Sequence, residues 1–560
     1  MNFLIALIPE IILIAAACLL FLLAAFPGVI IRRSAPWVTV IALMAAMMVV
    51  AIRMLDGSQF EAVQDVILFS QFSSYIKALS LAVGVLLLLV NWPTDADGSG
   101  NATLRLESEG PEYFGLMLLS ITGVMLVASA NDLILLFLAI ELASIPTYVM
   151  VSISRPISIA QEAALKYFFL GAFSAALTLF GLSFLFGVTG SLTLTGIAGV
   201  VSGWIAAGGV PAWLILGGML VMVGLAFKLA AFPLHFYAPD VYTGAATPLT
   251  ALLSFVPKAA GIVGLIRVLY ALSGAHPGDL PTSFATALWI IAVFTMTIGN
   301  VLGLMQQNVK RMMACSSIAH SGYMLTGLAV LFGTPVLSVQ HEALAGVLFY
   351  LTAYGLTNLG VFAVLMMLPA KADPFNYEGK IPPGTTAETL SDIAGTGRRH
   401  VGLGLIMAAC CFSLIGIPLT MGFLGKFYLL RPLLAGGFTW LAVIMVLNAA
   451  ISAGYYLRIV SAMFLKEPRE AAMGMNVAVA ADAQTPCPCL ITMPLLLAGI
   501  LAGGGGLALG TYLDAASAVR TMTLQATDVA PPVVPSPSRP IWISLEAPGD
   551  QGGTGLASEK

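Results

Sequence analysis

The chain is 560 residues long, 59% hydrophobic and only 9% charged. Soluble domains contain about 25% charged residues, so this composition excludes an ordinary water-exposed surface. The formal net charge of −3 gives no support for nucleic-acid binding. Repeated apolar runs of about 18 to 25 residues predict an all-α polytopic membrane protein, because each run can span a hydrocarbon core of roughly 30 Å.

Fourteen apolar runs follow one another along the chain, and each predicts a transmembrane helix. They cover 3–26, 37–55, 75–91, 113–130, 132–152, 163–187, 213–245, 248–272, 284–304, 310–332, 341–368, 402–432, 438–465 and 490–513. The first run lacks a basic n-region and a small-residue cleavage site, so we interpret it as a retained helix and not as a signal peptide.

The basic residues between the spans are distributed unevenly. Loops 56–74, 188–212, 273–283 and 333–340 contain no lysine or arginine. The opposing loops and the span ends next to them contain 12 of the 24 basic residues: Arg32, Arg33, Arg105, Arg155, Lys310, Arg311, Lys371, Lys380, Arg398, Arg399, Lys466 and Arg469. Cytoplasmic loops are enriched in basic residues, so both termini are predicted on the outer side of the membrane.

The spans repeat. "EAALKYFFLGAFSAALTLFG" at 162–181 resembles "EALAGVLFYLTAYGLTNLGVF" at 342–362. One five-helix unit and its copy predict an inverted repeat, because an odd number of helices reverses the orientation of the second unit. We divide the chain into the following segments: three N-terminal spans and a loop at 1–112, the repeats at 113–272 and 284–465, the final span with its loop at 466–513, and a Pro-rich tail at 514–560.

Two spans, 213–245 and 402–432, are too long for one straight crossing, and each has a proline near its middle. Pro233 and Pro418 have no N–H to donate, so the carbonyls of Leu229 and Leu414 need other partners. Irregular backbone at membrane depth is tolerated where it lies within protein or lines a wet cavity. The sequence therefore predicts two broken helices at equivalent positions of the repeat. A simple proline kink at each position is the alternative.

Three lysines lie deep within predicted spans: Lys228, Lys258 and Lys426. A basic residue at the centre of a membrane helix costs roughly 2.5 to 3.5 kcal/mol on insertion scales. Glu141, in the middle of span 132–152, is one carboxylate and cannot neutralise all three. Burial lowers the pKa of a lysine towards neutral pH, so both the charged and the neutral form become accessible. The neutral amine can accept a proton, and the resulting ammonium can donate it to the next group. The lysines are therefore predicted proton-transfer sites. Purely structural ion pairing is the alternative.

Other polar residues in the spans are weaker candidates. Lys166 lies about one turn inside span 163–187, His235 follows the first predicted break, and His320 is near the middle of span 310–332. Imidazole titrates near neutrality and can link lysine sites. Glu10 is predicted at a membrane interface. No nucleotide-binding motif or metal-ligand spacing occurs, so the chain is expected to bind no cofactor and no metal.

Four stretches resemble the N subunits of bacterial respiratory complex I, the counterparts of mitochondrial NADH dehydrogenase subunit 2. They are "PEYFGLMLLSITGVMLVASANDLILLFLAIELASIPTYVM", "FKLAAFPLHFYAPDVYTGAATPLTALLSFVPKAAG", "NVKRMMACSSIAHSGYML" and "GIPLTMGFLGKFYL". The likeness runs from about residue 110 to 465 and implies an antiporter-like fold of 14 transmembrane helices. Related M-type subunits carry a glutamate at the position of Lys426, so this lysine favours the N type.

The resemblance implies roles for matching residues. Glu141 and Lys228 would form a coupled pair, which Lys166 would join. Lys258 would be the central relay. His235 and His320 would lie along the hydrated axis of proton transfer. Lys426 would connect this axis to the opposite half-channel and the outside.

The resemblance also implies that the chain is a non-redox subunit of a proton-translocating NADH:quinone oxidoreductase in the bacterial inner membrane. NADH, FMN, iron–sulfur clusters and quinone would bind to partner subunits. The expected partners are the other membrane-arm subunits, namely an antiporter-like M-type subunit and small membrane subunits, together with the lipid bilayer. An Mrp-type cation/proton antiporter subunit and a membrane subunit of a hydrogenase-type complex share the fold and stay open as alternatives.

Overall fold

The computed structural model describes residues 7–26, 34–55, 66–68, 70–92, 106–154, 158–274, 276–368 and 388–467. The predicted last span and the Pro-rich tail lie outside these ranges. Within them the chain forms α-helices and isolated bridges but no extended strand. The helices are α1 (Ile8–Ala24), α2 (Ala35–Leu55), α3 (Gln71–Val90), α4 (Leu106–Ser129), α5 (Leu133–Ile153), α6 (Ser158–Thr189), α7 (Leu194–Ala206), α8 (Ala212–Lys228), α9 (Ala238–Gly244), α10 (Thr247–Leu272), α11 (Thr282–Met305), α12 (Val309–Gly333), α13 (Leu337–Met367), α14 (Thr396–Arg399), α15 (Val401–Ile415), α16 (Met421–Ala435) and α17 (Thr439–Phe464).

Ten of the described helices are long and apolar enough to cross a membrane, and four further apolar helices are shorter. The prediction of an all-helical, multi-pass membrane protein is therefore confirmed. Two of the shorter helices, α8 and α15, are the first halves of the two long spans that the sequence predicts to be broken.

The first break separates α8 from α9. Helix α8 ends at Lys228, the chain is irregular through Pro233, and α9 begins at Ala238. Within the break Ala230 has a φ of 51°, a left-handed conformation that is costly for a residue with a β-carbon. The interruption predicted at Pro233 is thus observed as a separation into two helices, and the alternative of a simple kink is wrong here.

The second break separates α15 from α16. Helix α15 ends at Ile415, Gly416 follows with a φ of 89°, and Leu419 adopts a left-handed φ of 75°. Helix α16 begins at Met421, where the Thr420 side chain accepts a hydrogen bond from a first-turn N–H. The break surrounds Pro418, so the second predicted interruption is also observed.

Helices α10, α12 and α13 form the centre of the molecule. The most apolar segment of each is completely buried, whereas those of α2, α6, α11 and α17 are largely exposed. Exposed apolar surface on this scale suits contact with lipid or with a neighbouring membrane subunit. Close approach between helices needs glycine at specific points: a β-carbon at Gly322 of α12 would lie 2.6 Å from the backbone nitrogen of Met296 on α11.

Two described helices were not predicted, α7 and the four-residue α14, which lies between the predicted spans 341–368 and 402–432. Helix α7 lies within the predicted outer loop 188–212, and its first turn is capped by the Thr193 hydroxyl. Its 13 residues are apolar, but at 1.5 Å per residue they extend only about 20 Å, so they cannot cross a bilayer. A search for runs of spanning length therefore misses it.

Candidate functional site

Glu141 and Lys228 form an ion pair inside the helix bundle. Lys228 Nζ lies 3.1 Å from Glu141 Oε1, and the side chains are 2% and 12% exposed. Lys228 is the last residue of α8, directly before the break, and Glu141 lies in the middle of α5. The same ammonium donates to the Tyr148 hydroxyl at 3.1 Å. The contact that the resemblance implies between Glu141 and Lys228 is therefore present.

A small cavity lies beyond this pair. Its volume is about 10 Å³, which is close to the space needed for one water molecule. Lys228 and Lys258 both line it, together with the aromatic side chains Tyr167, Tyr237 and Tyr242. The lysine of the ion pair and the central lysine therefore both border one water-sized space at the first helix break.

Lys258 occupies the centre of the fully buried helix α10. Its ammonium donates to the carbonyl oxygens of Leu229 at 3.3 Å and Ser317 at 2.5 Å, and to the Ser321 hydroxyl at 2.6 Å. Among the described residues no carboxylate lies within ion-pair distance of it. Leu229 O is the carbonyl that Pro233 leaves without a helical donor, so Lys258 and Ser321, which donates to it at 2.6 Å, supply the missing partners.

His320 continues the polar path along α12. Its Nδ1 lies 2.6 Å from the Tyr350 hydroxyl and its Nε2 lies 3.0 Å from the Tyr456 hydroxyl. Lys258 and Lys426 are both close enough to act on the imidazole electrostatically. His320 is thus a buried imidazole, 2% exposed, within electrostatic reach of both lysines.

Lys426 repeats at the second break the arrangement of Lys258 at the first. Its ammonium donates to the carbonyl oxygens of Leu414 at 2.9 Å and Ile415 at 2.8 Å, at the end of α15. It lies 5.0 Å from the centroid of the Tyr323 ring. At both helix breaks a buried lysine therefore donates to carbonyls at the end of the preceding helix, and its observed partners are neutral oxygens. The sequence predicts that the Leu414 carbonyl needs a donor from elsewhere, and that donor is Lys426.

Lys166 does not join the ion pair of Glu141 and Lys228. It lies 2.8 Å from Glu162, one turn away on α6, and 3.0 Å from Asp240 on α9, and its side chain is 44% exposed. Arg311 contacts the same Asp240 at 2.7 Å. The expectation that Lys166 contacts the buried pair is wrong, because its helix position directs it to the end of α9 and not towards α5.

His235 lies within the first break, but not against the lysines. Its ring centroid is 6.1 Å from that of Phe232 and 6.4 Å from that of Phe236, and Phe236 is exposed. Among the described contacts none joins His235 to Lys228 or Lys258. The imidazole is half-buried within the break, and the contact with the axial lysines that its predicted position on the central axis would give is not observed.

The structure contains a second buried ion pair that the sequence analysis missed. Lys77 Nζ on α3 lies 2.7 Å from Glu10 Oε1 on α1, and the side chains are 4% and 2% exposed. Glu10 is thus buried in protein, whereas the sequence predicts an interfacial position. Lys77 lies six residues inside α3, which begins at Gln71, whereas the predicted span begins at residue 75 and places this lysine near a span end. The sequence therefore contains no signal of its burial.

Lys310 is also buried, although the sequence places it in a cytoplasmic loop. It is completely inaccessible, donates to the carbonyl of Ala245 at 2.6 Å, and lies 3.3 Å from Glu388. Ala245 is the residue after α9, so Lys310 fixes the second half of the broken helix. A sequence shows that such a lysine is near a span end, but not that a folded loop covers it.

The described residues contain no group of three or more histidine, cysteine, aspartate or glutamate side chains that could hold a metal ion. The polar groups along the axis are amines, hydroxyls, one imidazole and one carboxylate. Such groups can bind and release protons and can order water, which is a chemistry of proton transfer.

Three relatives are named as subunit N of NADH-quinone oxidoreductase, one of them with a number. An NADH-quinone oxidoreductase subunit N from Trichlorobacter lovleyi is 36% identical over 451 residues, covering 80% of this chain and 83% of that protein. The protein of the same name from Myxococcus xanthus is 34% identical over 523 residues, covering 89% and 95%. The "subunit N 2" protein from Roseiflexus castenholzii is 39% identical over 422 residues, covering 74% and 80%.

Solved structures share the fold. A chain of respiratory complex I from Thermus thermophilus with bound aureothin is 28% identical, with a TM-score of 0.69 and coverage of 90% of this chain and 97% of that chain. A chain of the Mrp complex from Dietzia sp. DQ12-45-1b has a TM-score of 0.71 at 20% identity, covering 95% and 99%, and shows the fold alone.

Residues 130–452 match the family described as "NADH:quinone oxidoreductase/Mrp antiporter, TM", which covers more than half of the chain and includes every residue of the central axis named above. The resemblance noted from four stretches of sequence is confirmed by these relatives. The chain belongs to the NADH:quinone oxidoreductase/Mrp antiporter membrane family and, within it, to the subunit N proteins of NADH-quinone oxidoreductase.

Proposed function

We propose that this chain is the proton-translocating membrane subunit of an NADH-quinone oxidoreductase of the complex I type. NADH oxidation and quinone reduction take place in other subunits and drive proton transfer through this one. The observation that carries the proposal is the buried row of titratable groups from Glu141 and Lys228, through Lys258 and His320, to Lys426. A row of this kind, joined by hydroxyls and a water-sized cavity, is costly to bury and is suited to passing protons.

The residues act in sequence. The pair of Glu141 and Lys228 opens and closes, and each change alters how strongly Lys228 holds its proton. At an effective dielectric near 20, a unit charge about 6 Å away contributes about 2.8 kcal/mol, which is enough to change the protonation state of an amine. Lys258 is the central relay, His320 links it to the second repeat, and Lys426 leads to the outer half-channel.

The two remaining candidates act at the periphery of this path. Lys166, with Asp240 and Arg311, forms a charged cluster beside α9 that collects protons from the cytoplasmic side. His235 lies in the same broken segment and exchanges protons through water near the cavity. Both roles are proposed because Lys166 and His235 lie at or near the first helix break; neither residue contacts an axial lysine among the described contacts.

The membrane arrangement is part of the proposal. The chain has fourteen spans in the bacterial inner membrane, with two inverted five-helix repeats and both termini on the outer side. Support comes from the presence of one helix break in each proposed repeat, between α8 and α9 in the first and between α15 and α16 in the second. One interrupted helix in corresponding parts of the two halves is expected of a transporter built from repeats.

The energy for transport comes from outside the chain. Moving one charge against 100 mV costs about 2.3 kcal/mol, and the axis contains no redox group that could supply it. NADH, FMN, iron–sulfur clusters and quinone bind to partner subunits, and the isolated chain catalyses no reaction. The chain is thus a non-redox part of a translocase, in contact with an M-type subunit and small membrane subunits.

Purification of the tagged full-length chain from its own membranes tests this function. The proposal predicts that NADH:quinone oxidoreductase activity co-purifies with the chain and that the purified complex pumps protons when reconstituted into liposomes. An Mrp-type antiporter would instead exchange sodium for protons without NADH. A hydrogenase-type complex would co-purify with hydrogen-dependent activity. Either result would contradict the proposal.

A further inference from the structure

Tyr148 is the second fixed acceptor of the Lys228 ammonium. A lysine ammonium has three donors, and the observed side-chain acceptors are Glu141 Oε1 and the Tyr148 hydroxyl, each at 3.1 Å. Glu141 and Tyr148 lie on the same helix, seven residues and therefore about two turns apart. Lys228 is thus held by two groups of different chemistry, one charged and one neutral, while it also lines the cavity towards Lys258.

The position of the Tyr148 hydroxyl is determined by a glycine on the neighbouring helix. A β-carbon at Gly171 of α6 would lie 2.5 Å from Cζ of Tyr148 and closer still to the hydroxyl oxygen. The ring is held from another side by Tyr167, edge to face, with centroids 4.5 Å apart. The absence of a side chain at Gly171 therefore leaves room on α6 for the Tyr148 ring, whose hydroxyl contacts Lys228.

We propose that Tyr148 is a positioning residue for proton transfer, which holds the Lys228 ammonium at the cavity whenever Glu141 turns away. The inference rests on the proposed function and deepens it. A neutral acceptor keeps the amine in place without fixing its charge, because it interacts with the ammonium far more weakly than a carboxylate does. Without the hydroxyl, opening of the ion pair leaves Lys228 no fixed acceptor among its observed side-chain partners, and the amine moves away from the cavity.

The groups that face Lys228 are contributed by several elements. Helix α5 contributes Glu141 and Tyr148, α6 contributes Tyr167, the first break contributes Tyr237, and α10 contributes Lys258 across the cavity. Glu141 and Lys258 are the charged groups of this set. The change to phenylalanine at position 148 removes one oxygen and leaves all of these in place.

The test uses the intact complex in inside-out membrane vesicles, with NADH oxidation and NADH-driven proton uptake measured across a range of pH. Tyr148→Phe retains the ring and its contact with Tyr167. The expected result is a fall of about three- to tenfold in the rate of proton uptake, the effect of one lost hydrogen bond to the amine. The alkaline limb of the pH profile also moves to lower pH, because the ammonium loses an acceptor.

Gly171→Ala provides a second and independent perturbation. It changes no polar group, but it displaces the Tyr148 hydroxyl, so the same fall and the same movement of the alkaline limb are expected. Tyr113→Phe is the matched control, because it removes a buried hydroxyl whose observed partner is Asn91, at 3.2 Å, and not Glu141 or Lys228. This control should leave both the rate and the pH profile unchanged.

The outcomes separate this inference from the function on which it rests. If Tyr148→Phe behaves like Tyr113→Phe while Glu141→Gln abolishes proton uptake, the positioning role is refuted and the proposed function stands. If Glu141→Gln also leaves uptake unchanged, the proposed function fails. A reduced rate with an unchanged pH profile in Tyr148→Phe indicates a structural effect and also overturns the inference. Where Tyr148→Phe does not assemble, Gly171→Ala decides by the same criteria.

Discussion

Replacement of a buried lysine by methionine, which is similar in length and apolar, should change stability little at position 258 but lower it at position 228. Lys258→Met removes a donor from the carbonyls of Leu229 and Ser317, at about 1 to 3 kcal/mol for a buried group left with fewer partners. The Ser321 hydroxyl has a single hydrogen, which it can still donate to one of these two carbonyls, at 2.6 Å from Leu229 O and 3.1 Å from Ser317 O. The variant also avoids the roughly 2.5 to 3.5 kcal/mol cost of a central cation.

These terms nearly cancel for Lys258→Met, so its free energy of unfolding should change by less than about 2 kcal/mol. Lys228→Met differs because it leaves the carboxylate of Glu141, which is 12% exposed, without its cation. Removal of one partner of a buried ion pair costs about 3 to 5 kcal/mol. The double variant Glu141→Gln with Lys228→Met removes both charges and should recover most of that loss.

The assay is the amount of assembled complex in membranes, together with its midpoint of thermal aggregation in detergent. We expect Lys258→Met to resemble the unmodified protein, Lys228→Met to be depleted and to aggregate at a lower temperature, and the double variant to be intermediate or better. If Lys258→Met were as unstable as Lys228→Met, Lys258 would serve mainly to hold the helix break together. The distinction between a paired lysine and a relay lysine would then be wrong.

Three further predictions concern packing and charge outside the axis. Gly123→Ala should prevent assembly, because its β-carbon would lie 2.6 Å from a backbone carbon of α5. Gly402→Ala is the control, because no atom lies within 4 Å of its β-carbon, and an immunoblot of the assembled complex should show a normal amount. Lys77→Met should lower stability by up to about 3 to 5 kcal/mol, since it removes the 2.7 Å partner of the buried Glu10 and leaves that carboxylate only the electrostatic influence of Arg53, and adding Glu10→Gln should restore the thermal midpoint; no restoration would show that the pair is not the cause. Asp240→Asn should change the thermal midpoint little, because its partially exposed ion pairs contribute about 0 to 1 kcal/mol each; a large loss of stability would mean that this cluster holds α9 in place.

The sequence predicts the features of the axis that depend on local chemistry. A lysine in an apolar run and a proline in an overlong span are visible without any structure, and Lys228, Lys258, Lys426 and the two breaks were located in this way. The carbonyl that Pro233 frees was also predicted to need a partner. That the partner is Lys258, from another helix, depends on packing, which the order of residues does not reveal.

The errors have a common physical cause. Lys166 and His235 lie at the expected depth but on the wrong side of their segments, because a span in a bundle contacts several neighbours and its sequence periodicity does not identify which. Glu10 and Lys77 are nearly 70 residues apart in the chain, and Lys310 is covered by a loop that reaches it through Glu388. Such contacts are set by tertiary structure alone.

The most direct test of the central claim is the number of protons taken up per NADH oxidised by vesicles that contain the Lys258→Met complex. The account predicts that this variant assembles in normal amount but that its NADH-driven proton uptake falls at least tenfold, since the path between the cavity and His320 is interrupted. Normal assembly with an unchanged ratio of protons to NADH would contradict the claim that the buried lysines transfer protons.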